Sequence, residues 1–396
     1  MNKKTEGVVL LLICLAVGLY YVSTRLFLPA QNLTLHTVQT QSPTSNNKPE
    51  RGGALPFPLT VPSNLHIGLF ASGLGSARDL QFSPSGTLLV SDPSHNRVLA
   101  LPDANHDGQA DSQKVVVSGG DVVHGLAFHN GQLYVAEKNS LELYSWNEKT
   151  LTTSHLKTVM TYPGTQDHTA RTLVFGTDNR IYLNLGSNCN VCVEKNPLNG
   201  TVITAKADGG DLHTFAKGQR NAPFLAVNPM TKEIWTTGMG RDYLGDNTPP
   251  DEINILHSGD DYGWPYCYGD KIHDDSFDPQ HTHSCQKTIP PIYQIPAHSA
   301  PLGLAFIPDN FYNSWQNDLV VAYHGSWNRS IPIGYKVVLL HIAGNTITGS
   351  TDLVSGFLTG NTVHGRPVDV AFDENGNLFI SDDKTGNIYI VSSSQQ

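Results

Sequence analysis

One pattern of apolar and polar positions recurs along the chain. An apolar pair is followed by a short polar turn with Gly or Asn, and then by a β-rich run that ends near a small or acidic residue. Each copy predicts a strand, a tight turn and a second strand. Consecutive copies start 46 to 79 residues apart, which predicts six four-stranded blades and therefore an all-β, six-bladed β-propeller. The copies are Leu80–Asp92, Leu126–Glu137, Leu173–Ser187, Leu225–Gly238, Leu304–Gly325 and Val370–Asp383.

The predicted propeller occupies residues 55–394. Leu65–Ala71 alternates like a strand but precedes the first copy of the pattern, so we expect it to complete the last blade. Closure of this kind locks the ring and removes two sheet edges. Two insertions, Asp242–Ser299 and Ser326–Gly334, interrupt the pattern. Long loops in a compact fold are usually functional or pinned by disulfides.

The N-terminal segment has the pattern of a membrane-targeting sequence, unlike the predicted propeller that follows it. Lys3 and Lys4 precede the apolar run Gly7–Val22, and no clean small-residue cleavage site follows it. We interpret residues 1–30 as an uncleaved signal-anchor, with a cleaved signal peptide as the alternative. The lysines would keep the N-terminus in the cytoplasm, which predicts an extracytoplasmic body. Residues 31–54, rich in Gln, Ser, Thr, Asn and Pro, predict a flexible linker.

Charge and cysteine content narrow the class of protein. The formal net charge is −10 and no basic stripe is present, which argues against nucleic-acid binding. An even number of cysteines in an exported body predicts two disulfides, most simply between local partners, with a four-thiolate zinc site as the alternative. The predicted pairs are Cys189–Cys192 and Cys267–Cys285. Val193 stands where covalent haem attachment needs His, so a c-type haem is excluded.

The loop Asp103–Asp111 shows an incomplete calcium pattern. Its oxygen-bearing residues fall at positions 1, 3, 5 and 9, and Gly108 occupies the sharp turn. Position 12 is Lys114 rather than Glu, so an acidic turn between strands is an equal alternative.

Polar clusters stand just before several of the predicted blades. His168 and Arg171 lie in the segment Asp167–Arg171, where a histidine base and an anion-binding arginine are both chemically suited. Arg220 with Asn221, and Arg366, occupy equivalent places. Each cluster alone is typical of a capped turn or a solvated surface. Because such positions converge at one end of a propeller axis, together they predict a site for an anionic, oxygen-rich ligand.

A fourth cluster offers oxygen ligands. Gly240 and Arg241 lie in a glycine-rich turn, and Asp251 and Glu252 follow it. Backbone carbonyls and carboxylates suit a hard cation such as calcium. A bulged edge strand with a solvated acidic turn is the alternative.

From Leu65 to Val391 the chain resembles the glucose/sorbosone dehydrogenase family, propellers that use pyrroloquinoline quinone (PQQ). The segments NCNVC and YGWPYCYG are closer to the sorbosone-dehydrogenase-like branch than to the soluble glucose dehydrogenases. The resemblance rests on HTARTLVFGTDNRIYLNLGSNCNVC, GQRNAPFLAVNP, GRDYLGDNTPPDEINIL with GDDYGWPYCYG, HGSWNRS, and GRPVDVAFDENGNLFISDDKTGNIYIV.

The resemblance implies roles for residues of this chain. His168 matches the base that takes the substrate hydroxyl proton while hydride passes to the quinone. Calcium would hold the quinone and act as a Lewis acid. The implied cofactor contacts are Arg220, Asn221, Arg366 and, in a loosely matched segment, Arg329. The implied metal ligands are Gly240, Arg241, Asp251 and Glu252.

Three positions depart from the glucose-type pattern. Ser187, Met239 and Val368 stand where those enzymes have Asp, Gln and a second Arg. A serine lacks the carboxylate that would hold His168 in its basic tautomer. These departures motivate a second hypothesis, a non-catalytic propeller that binds glycans or a protein. A calcium-dependent lactonase is a third, because fold does not determine function.

The leading prediction is a PQQ- and calcium-dependent quinoprotein that oxidises a sugar or a sugar aldehyde of the sorbosone or aldose type. A membrane quinone or a cytochrome would accept the electrons. The enzyme would be held at the membrane through its N-terminal anchor.

Overall fold

A computed structural model describes residues 51–393, and within that range the chain forms six four-stranded antiparallel sheets arranged as blades. The predicted all-β six-bladed propeller is thereby confirmed. The predicted anchor at residues 1–30 and most of the predicted linker lie outside the described residues. Among the described residues, no helix combines the length and apolar character needed to cross a membrane.

Each of the first three blades is built from four strands consecutive in the chain, and β1 (Leu65–Ala71) precedes them. The strands are β2 (Leu80–Phe82), β3 (Leu88–Asp92), β4 (Arg97–Leu101) and β5 (Lys114–Ser118); β6 (Leu126–His129), β7 (Gln132–Ala136), β8 (Ser140–Asn147) and β9 (Thr152–Thr161); β10 (Leu173–Phe175), β11 (Arg180–Leu185), β12 (Thr201–Lys206) and β13 (His213–Lys217).

The remaining blades contain the insertions. The fourth blade is β14 (Leu225–Val227), β15 (Ile234–Gly238), β16 (Asp251–Leu256) and β19 (Tyr293–Ile295), interrupted by the small hairpin β17 (Cys267–Tyr268) and β18 (Ile272–His273). The rest are β20 (Pro301–Phe306), β21 (Leu319–Tyr323), β22 (Lys336–Ala343) and β23 (Thr346–Val354), the hairpin β24 (Leu358–Thr359) and β25 (Thr362–Val363), and β26 (Pro367–Phe372), β27 (Leu378–Asp382) and β28 (Asn387–Ser393). Short 3₁₀ helices lie at Pro93–His95, Cys285–Lys287 and Asn313–Trp315.

The N-terminal strand closes the ring, as predicted. β1 pairs antiparallel with β28, with Leu65 opposite Ser393, and becomes the outermost strand of the last blade. The innermost strands contact one another in sequence, from β2 through β6, β10, β14 and β20 to β26, and β26 contacts β2. The last blade is therefore held together by both ends of the described chain.

The hydrophobic core lies between neighbouring blades. Strands in the middle of a blade, such as β3, β15 and β21, are buried at every position because both of their faces meet another blade. Trp235 on β15, for example, is fully buried and stacks edge-on against Phe306 of the next blade, at 5.3 Å between ring centroids. This packing fixes the direction of each blade and therefore where its loops emerge.

Both predicted disulfides are present, one between Cys189 and Cys192 and the other between Cys267 and Cys285. The four-thiolate zinc alternative is therefore wrong. The second disulfide pins the insertion around β17 and β18. In the Asp103–Asp111 loop the Asp103 carboxylate accepts the backbone N–H groups of Asp107 and Gly108.

Two buried carboxyl groups connect the last blade to the first two. Asp369 Oδ2 accepts the N–H of Leu80 at 2.8 Å, and Asp79 Oδ2 accepts the N–H of Leu126 at 3.0 Å. Burial, with repulsion between the two carboxyl groups, raises the pKa of Asp79 well above its ordinary value. Burial likewise raises the pKa of Asp369 to about 7. The pair therefore holds a proton where free carboxyl groups would be ionised.

This pair predicts a pH-dependent stability. Because the folded pKa values are raised, the stabilisation is complete at acidic pH and is lost as the pH rises from about 4 towards 7. Asp79→Asn mimics the protonated group. Between about pH 4 and 7 the free energy of unfolding of the variant is therefore expected to fall by on the order of 2 kcal/mol less than that of wild type. Urea unfolding at a series of pH values measures the difference. Parallel curves for the two proteins would contradict the shared proton.

Candidate active site

The antiparallel order of each blade places particular residues at one end of the ring. The first strand begins, and the second strand ends, at the same edge of a sheet. Residues just before β10 and just after β11 therefore lie together, as do the equivalent residues of every blade. A cavity of about 340 Å³ opens at this end, in the size range of small-molecule sites. We call it the axial cavity; its polar lining includes Arg78, His124, Asp167, His168, Asn221 and His324.

His168 is held in one orientation at the wall of the axial cavity. Its Nδ1 lies 2.8 Å from the Ser187 carbonyl oxygen and 3.0 Å from Ser187 Oγ. The hydroxyl donates in turn to the Cys189 carbonyl at 2.7 Å. The carbonyl requires a proton on Nδ1, which leaves the Nε2 lone pair available. The expectation that Ser187 cannot fix the basic tautomer is therefore wrong, because its backbone carbonyl replaces the missing carboxylate.

The environment of His168 also keeps it neutral. Burial lowers its pKa to about 4, and the positive charge of Arg220 acts in the same direction. The lowered pKa keeps the imidazole unprotonated but also makes it a weaker base, so its suitability as a base rests on geometry: Nε2 makes no hydrogen bond to any described residue.

Arg171 supports the His168 loop instead of binding an anion. It is fully buried, and it donates to the carbonyl oxygens of His168 and Ala170 at 2.7 and 3.0 Å and to Thr165 Oγ1 at 2.8 Å. The suggested anion-binding role of Arg171 is therefore wrong: its guanidinium satisfies the backbone of the loop and lies outside the cavity lining.

A charged network missed by the sequence reasoning lies across the cavity from blade to blade. Asp383 accepts from Arg78 Nη1 at 2.6 Å and lies 3.0 Å from His324 Nε2. Arg78 Nε also lies 3.3 Å from His124 Nε2. Burial lowers the pKa of His324 to about 4, whereas the contacts with His324 and Arg78 hold the pKa of Asp383 far below its ordinary value. These contacts hold the Arg78 guanidinium in place at the mouth of the ring, which is the end where the axial cavity opens.

A positional signal would have found these residues. Arg78 and His124 each stand two residues before a first strand, and His324 and Asp383 each follow a second strand. His168 and Arg366 likewise stand before a first strand, by five residues and by one. The predicted site drew on residues of three blades only, so these four residues were not included.

A second cavity, which we call the insertion cavity, shares Asn221 and Met239 with the axial cavity. It is lined by Arg220, Gly240, Arg241 and Glu252, together with residues of the insertion that follows β16. The structure thus brings Asn221 and three of the predicted metal ligands next to the His168 site.

Arg220 is buried and fully engaged at the wall of the insertion cavity. Its guanidinium donates to the Gly240 carbonyl at 2.9 Å, to Asn190 O and Oδ1 at 2.9 and 3.0 Å, and to Asp242 Oδ2 at 2.9 Å. Its charge acts on His168, but its donors point away from the axial cavity. By contrast, Asn221 Oδ1 is buried without a hydrogen-bond partner.

The predicted pair of carboxylate ligands is not brought together. Asp251 and Glu252 are neighbours on β16, so their side chains point to opposite faces. Asp251 accepts the N–H groups of Gly240 and Ala300 at 3.0 and 2.8 Å, and burial raises its pKa to about 7. Asp251 therefore braces the glycine turn and does not line the cavity, which corrects its assignment as a ligand alongside Glu252.

Arg366 and Arg329 line a third cavity, with Asp383 at its edge. Arg366 donates to the carbonyls of His324 and Gly325 at 3.3 and 2.8 Å. Arg329 donates to the backbone carbonyls of Asp246 and Ala297. Neither arginine lines the axial cavity, so the predicted meeting of His168, Arg220 and Arg366 around one ligand is corrected: Arg366 lies behind His324.

A family model described as TrAA12-like matches residues 59–394. The chain belongs to the TrAA12-like family. The matched range covers the whole described propeller and contains every predicted site residue. The predicted kinship with PQQ sugar dehydrogenases is confirmed at this level.

Individual relatives agree with the family. The chain is 37% identical over 238 residues to an uncharacterized protein of Borreliella burgdorferi, covering 57% of this chain and 61% of that protein. It is 25% identical to a pyrroloquinoline quinone-dependent pyranose dehydrogenase of Coprinopsis cinerea, covering 85% of this chain and 54% of the relative. The chain therefore spans little more than half the length of these relatives.

A solved structure shows the same fold. The calcium structure of a Trichoderma reesei carbohydrate-active enzyme of family AA12 superimposes with a TM-score of 0.73 at 20% sequence identity, covering 87% of this chain and 99% of that chain.

Proposed function

We propose that this member of the TrAA12-like family is a PQQ-dependent dehydrogenase that oxidises a sugar, with His168 as the catalytic base. One observation carries the proposal. His168 lies at the mouth of the ring with Nδ1 fixed by Ser187 and with Nε2 unpaired beside an open cavity. The family match and the activity named for the Coprinopsis cinerea relative support the same chemistry.

The residues of the axial cavity fit an anionic quinone. Asn221 Oδ1, an acceptor in the wall shared by the two cavities, and Gln219 Nε2, a donor that lines the insertion cavity, are buried polar atoms with no partner among the described residues, which is costly unless a ligand pairs with them. Arg78 supplies a fixed positive charge on the opposite side. We infer that Arg78 and Asn221 would hold PQQ, with the charge of Arg220 behind them. Arg366, behind His324, would contribute only at longer range.

Calcium is proposed at the glycine turn, where the carbonyl groups of Gly240 and Arg241 are the best candidate ligands. The Gly240 carbonyl oxygen already accepts from Arg220 Nη1 at 2.9 Å, so a metal there would have to share or displace this hydrogen bond. Glu252 is occupied by Asn254 Nδ2 and the Gly269 N–H at 3.0 and 2.9 Å. Calcium bound at this turn would act as a Lewis acid on a carbonyl oxygen.

Oxidation of an alcohol carbon to a carbonyl removes one hydride and one hydroxyl proton. Bound PQQ supplies a two-electron acceptor for the hydride. His168 Nε2 accepts the proton, and the imidazolium that forms keeps its Nδ1–H bond to the Ser187 carbonyl. Asp167, beside His168, favours this charge, whereas Arg220 opposes it. Asn221 and Met239 form the wall between the two cavities and limit where a sugar ring can lie.

Reconstitution tests the proposal against its rivals. Apo-protein supplied with calcium and PQQ is expected to reduce an artificial dye with at least one aldose, pyranose or sorbosone. The same protein without PQQ should be inactive. Saturable glycan binding with no dye reduction would support the binding-propeller hypothesis. Lactone hydrolysis without PQQ would support the lactonase hypothesis.

The charge state of His168 gives a separate prediction. In the cofactor-free protein its imidazole is expected to stay neutral as the pH falls, and to titrate only near the pKa of about 4. An NMR titration of the imidazole resonances measures this, with the His168 signal identified by its absence from His168→Gln. Added PQQ, being anionic, should raise the midpoint. A midpoint at the ordinary histidine value would show that His168 is solvated, contrary to the structure.

We also propose an extracytoplasmic location, with a membrane quinone or a cytochrome as electron acceptor. Support comes from the lysines and apolar run at residues 3–22 and from an even number of cysteines in the body.

A further inference from the structure

A group of metal-type side chains lies on the insertion, outside the site described above. One ligand atom from each of His273, Asp275 and His281 lies within 4.8 Å of the other two. Asp275 Oδ1 is 3.1 Å from His273 Nδ1 and 3.0 Å from His281 Nε2. The two imidazole rings stack with their centroids 4.0 Å apart. Two imidazole nitrogens and a carboxylate oxygen therefore meet at one point.

A second observation concerns the other ring nitrogen of His273. Its Nε2 lies 3.2 Å from Asp278 Oδ2, and the Asp278 side chain is only 7% exposed. Asp278 is itself held by the N–H and Oγ1 of Thr282 and by the N–H of His283, at 2.8 to 3.1 Å. Metal-bound histidines usually donate their second nitrogen to a carboxylate fixed in this way. Asp278 therefore orients His273 Nδ1 towards Asp275 and His281.

We propose that His273, Asp275 and His281 bind a divalent transition-metal ion of the zinc, copper and nickel group. Imidazole with one carboxylate suits these ions, whereas calcium requires an oxygen-only shell of higher coordination number. The Asp275 and His281 side chains are 76% and 61% exposed, so water can complete the coordination. The Cys267–Cys285 disulfide encloses all three ligands and limits the spread of the loop.

The ion would also fix the position of one residue in the wall of the insertion cavity. Asp274 lies between two of the ligands in sequence, and its carboxylate is 3.1 Å from Arg241 Nε. Asp274 and Arg241 both line that cavity. An ion bound to His273 and Asp275 would hold Asp274 against Arg241. This proposal does not depend on the oxidation of a sugar.

Calorimetric titration of the full, untagged, metal-stripped chain with zinc sulfate, in the absence of PQQ, tests the site. We expect one zinc ion per chain, whereas any heat with calcium chloride should be the same in wild type and in His281→Ala, because calcium does not use this site. His281→Ala removes an exposed ligand with little risk to folding, and should weaken zinc binding by more than the roughly 10–100-fold typical of outer-shell changes. His213→Ala, which alters another exposed histidine paired with an aspartate, is the matched control and should bind zinc as wild type does.

A thermal scan supplies a second readout. Zinc should raise the unfolding temperature of the wild type and of His213→Ala, but not that of His281→Ala. Absence of saturable zinc binding in the wild type would overturn the proposal. Equal zinc affinity in wild type and His281→Ala, with both proteins folded, would overturn it as well, because the ion would then bind elsewhere.

Discussion

His168→Gln is expected to lower kcat for PQQ- and sugar-dependent dye reduction by about 10²–10⁴-fold, the usual contribution of a positioned general base. Glutamine fills similar space at the cavity wall but has no lone pair of comparable basicity. The fold should not change, because Arg171 holds the loop by donating to the backbone carbonyl of residue 168, a contact that does not involve the His168 side chain. Steady-state kinetics on the reconstituted enzyme measure the loss.

Two comparisons make this result specific. Titration of His168→Gln with PQQ should still reach one equivalent per chain, since the cofactor is held by other residues. His155→Ala is the matched control, because His155 is a half-exposed histidine paired with Glu142 on the outer strands of the second blade. Full activity in His168→Gln would remove His168 from the mechanism.

Asp383→Ala is expected to reduce the free energy of unfolding by about 3–5 kcal/mol, because it leaves the cation of Arg78 largely buried without its partner. The side chains of Arg78 and Asp383 are only 17% and 16% exposed. The sign of the pH dependence follows from the depressed pKa of Asp383. Its stabilisation is complete above the ordinary carboxyl pKa, so the gap between wild type and variant should narrow as the pH falls below about 4.

Asp211→Ala provides the contrast for this prediction. Asp211 pairs with Arg180 on the surface and is 56% exposed, so its loss should destabilise the protein far less than the loss of Asp383. Denaturant unfolding of the three proteins at neutral and acidic pH measures both effects. An equally small loss for Asp383→Ala would mean that the charged network at the mouth is not rigid.

The fold was accessible from the sequence because the blades repeat. The recurring hairpin pattern predicts the order and spacing of the strands. The alternating strand Leu65–Ala71 precedes the first copy of the pattern, so the last blade was its expected partner. The disulfide pairs followed from short separations. In each case the information is local, and the ring then assembles the same unit repeatedly.

The site was only partly accessible, for physical reasons. His168 and Asn221 reach a cavity because they stand where a first strand begins. Whether a guanidinium faces a cavity or the backbone depends on which carbonyl oxygens lie within hydrogen-bonding distance. Arg220, Arg329 and Arg366 each donate to backbone carbonyl oxygens. The Ser187 departure is compensated by its own carbonyl, which a residue-by-residue comparison of side chains does not detect.

The proposed function depends on one event at the end of the ring where the axial cavity opens, the oxidation of a sugar by a quinone beside His168. Rapid mixing of the PQQ- and calcium-loaded protein with sugar, followed by absorbance, observes it directly. We expect one equivalent of oxidised quinone per chain to be consumed, more slowly with sugar deuterated at the oxidised carbon, and far more slowly in His168→Gln. Stoichiometric PQQ binding with a spectrum that no aldose, pyranose or sorbosone changes would contradict the proposed function.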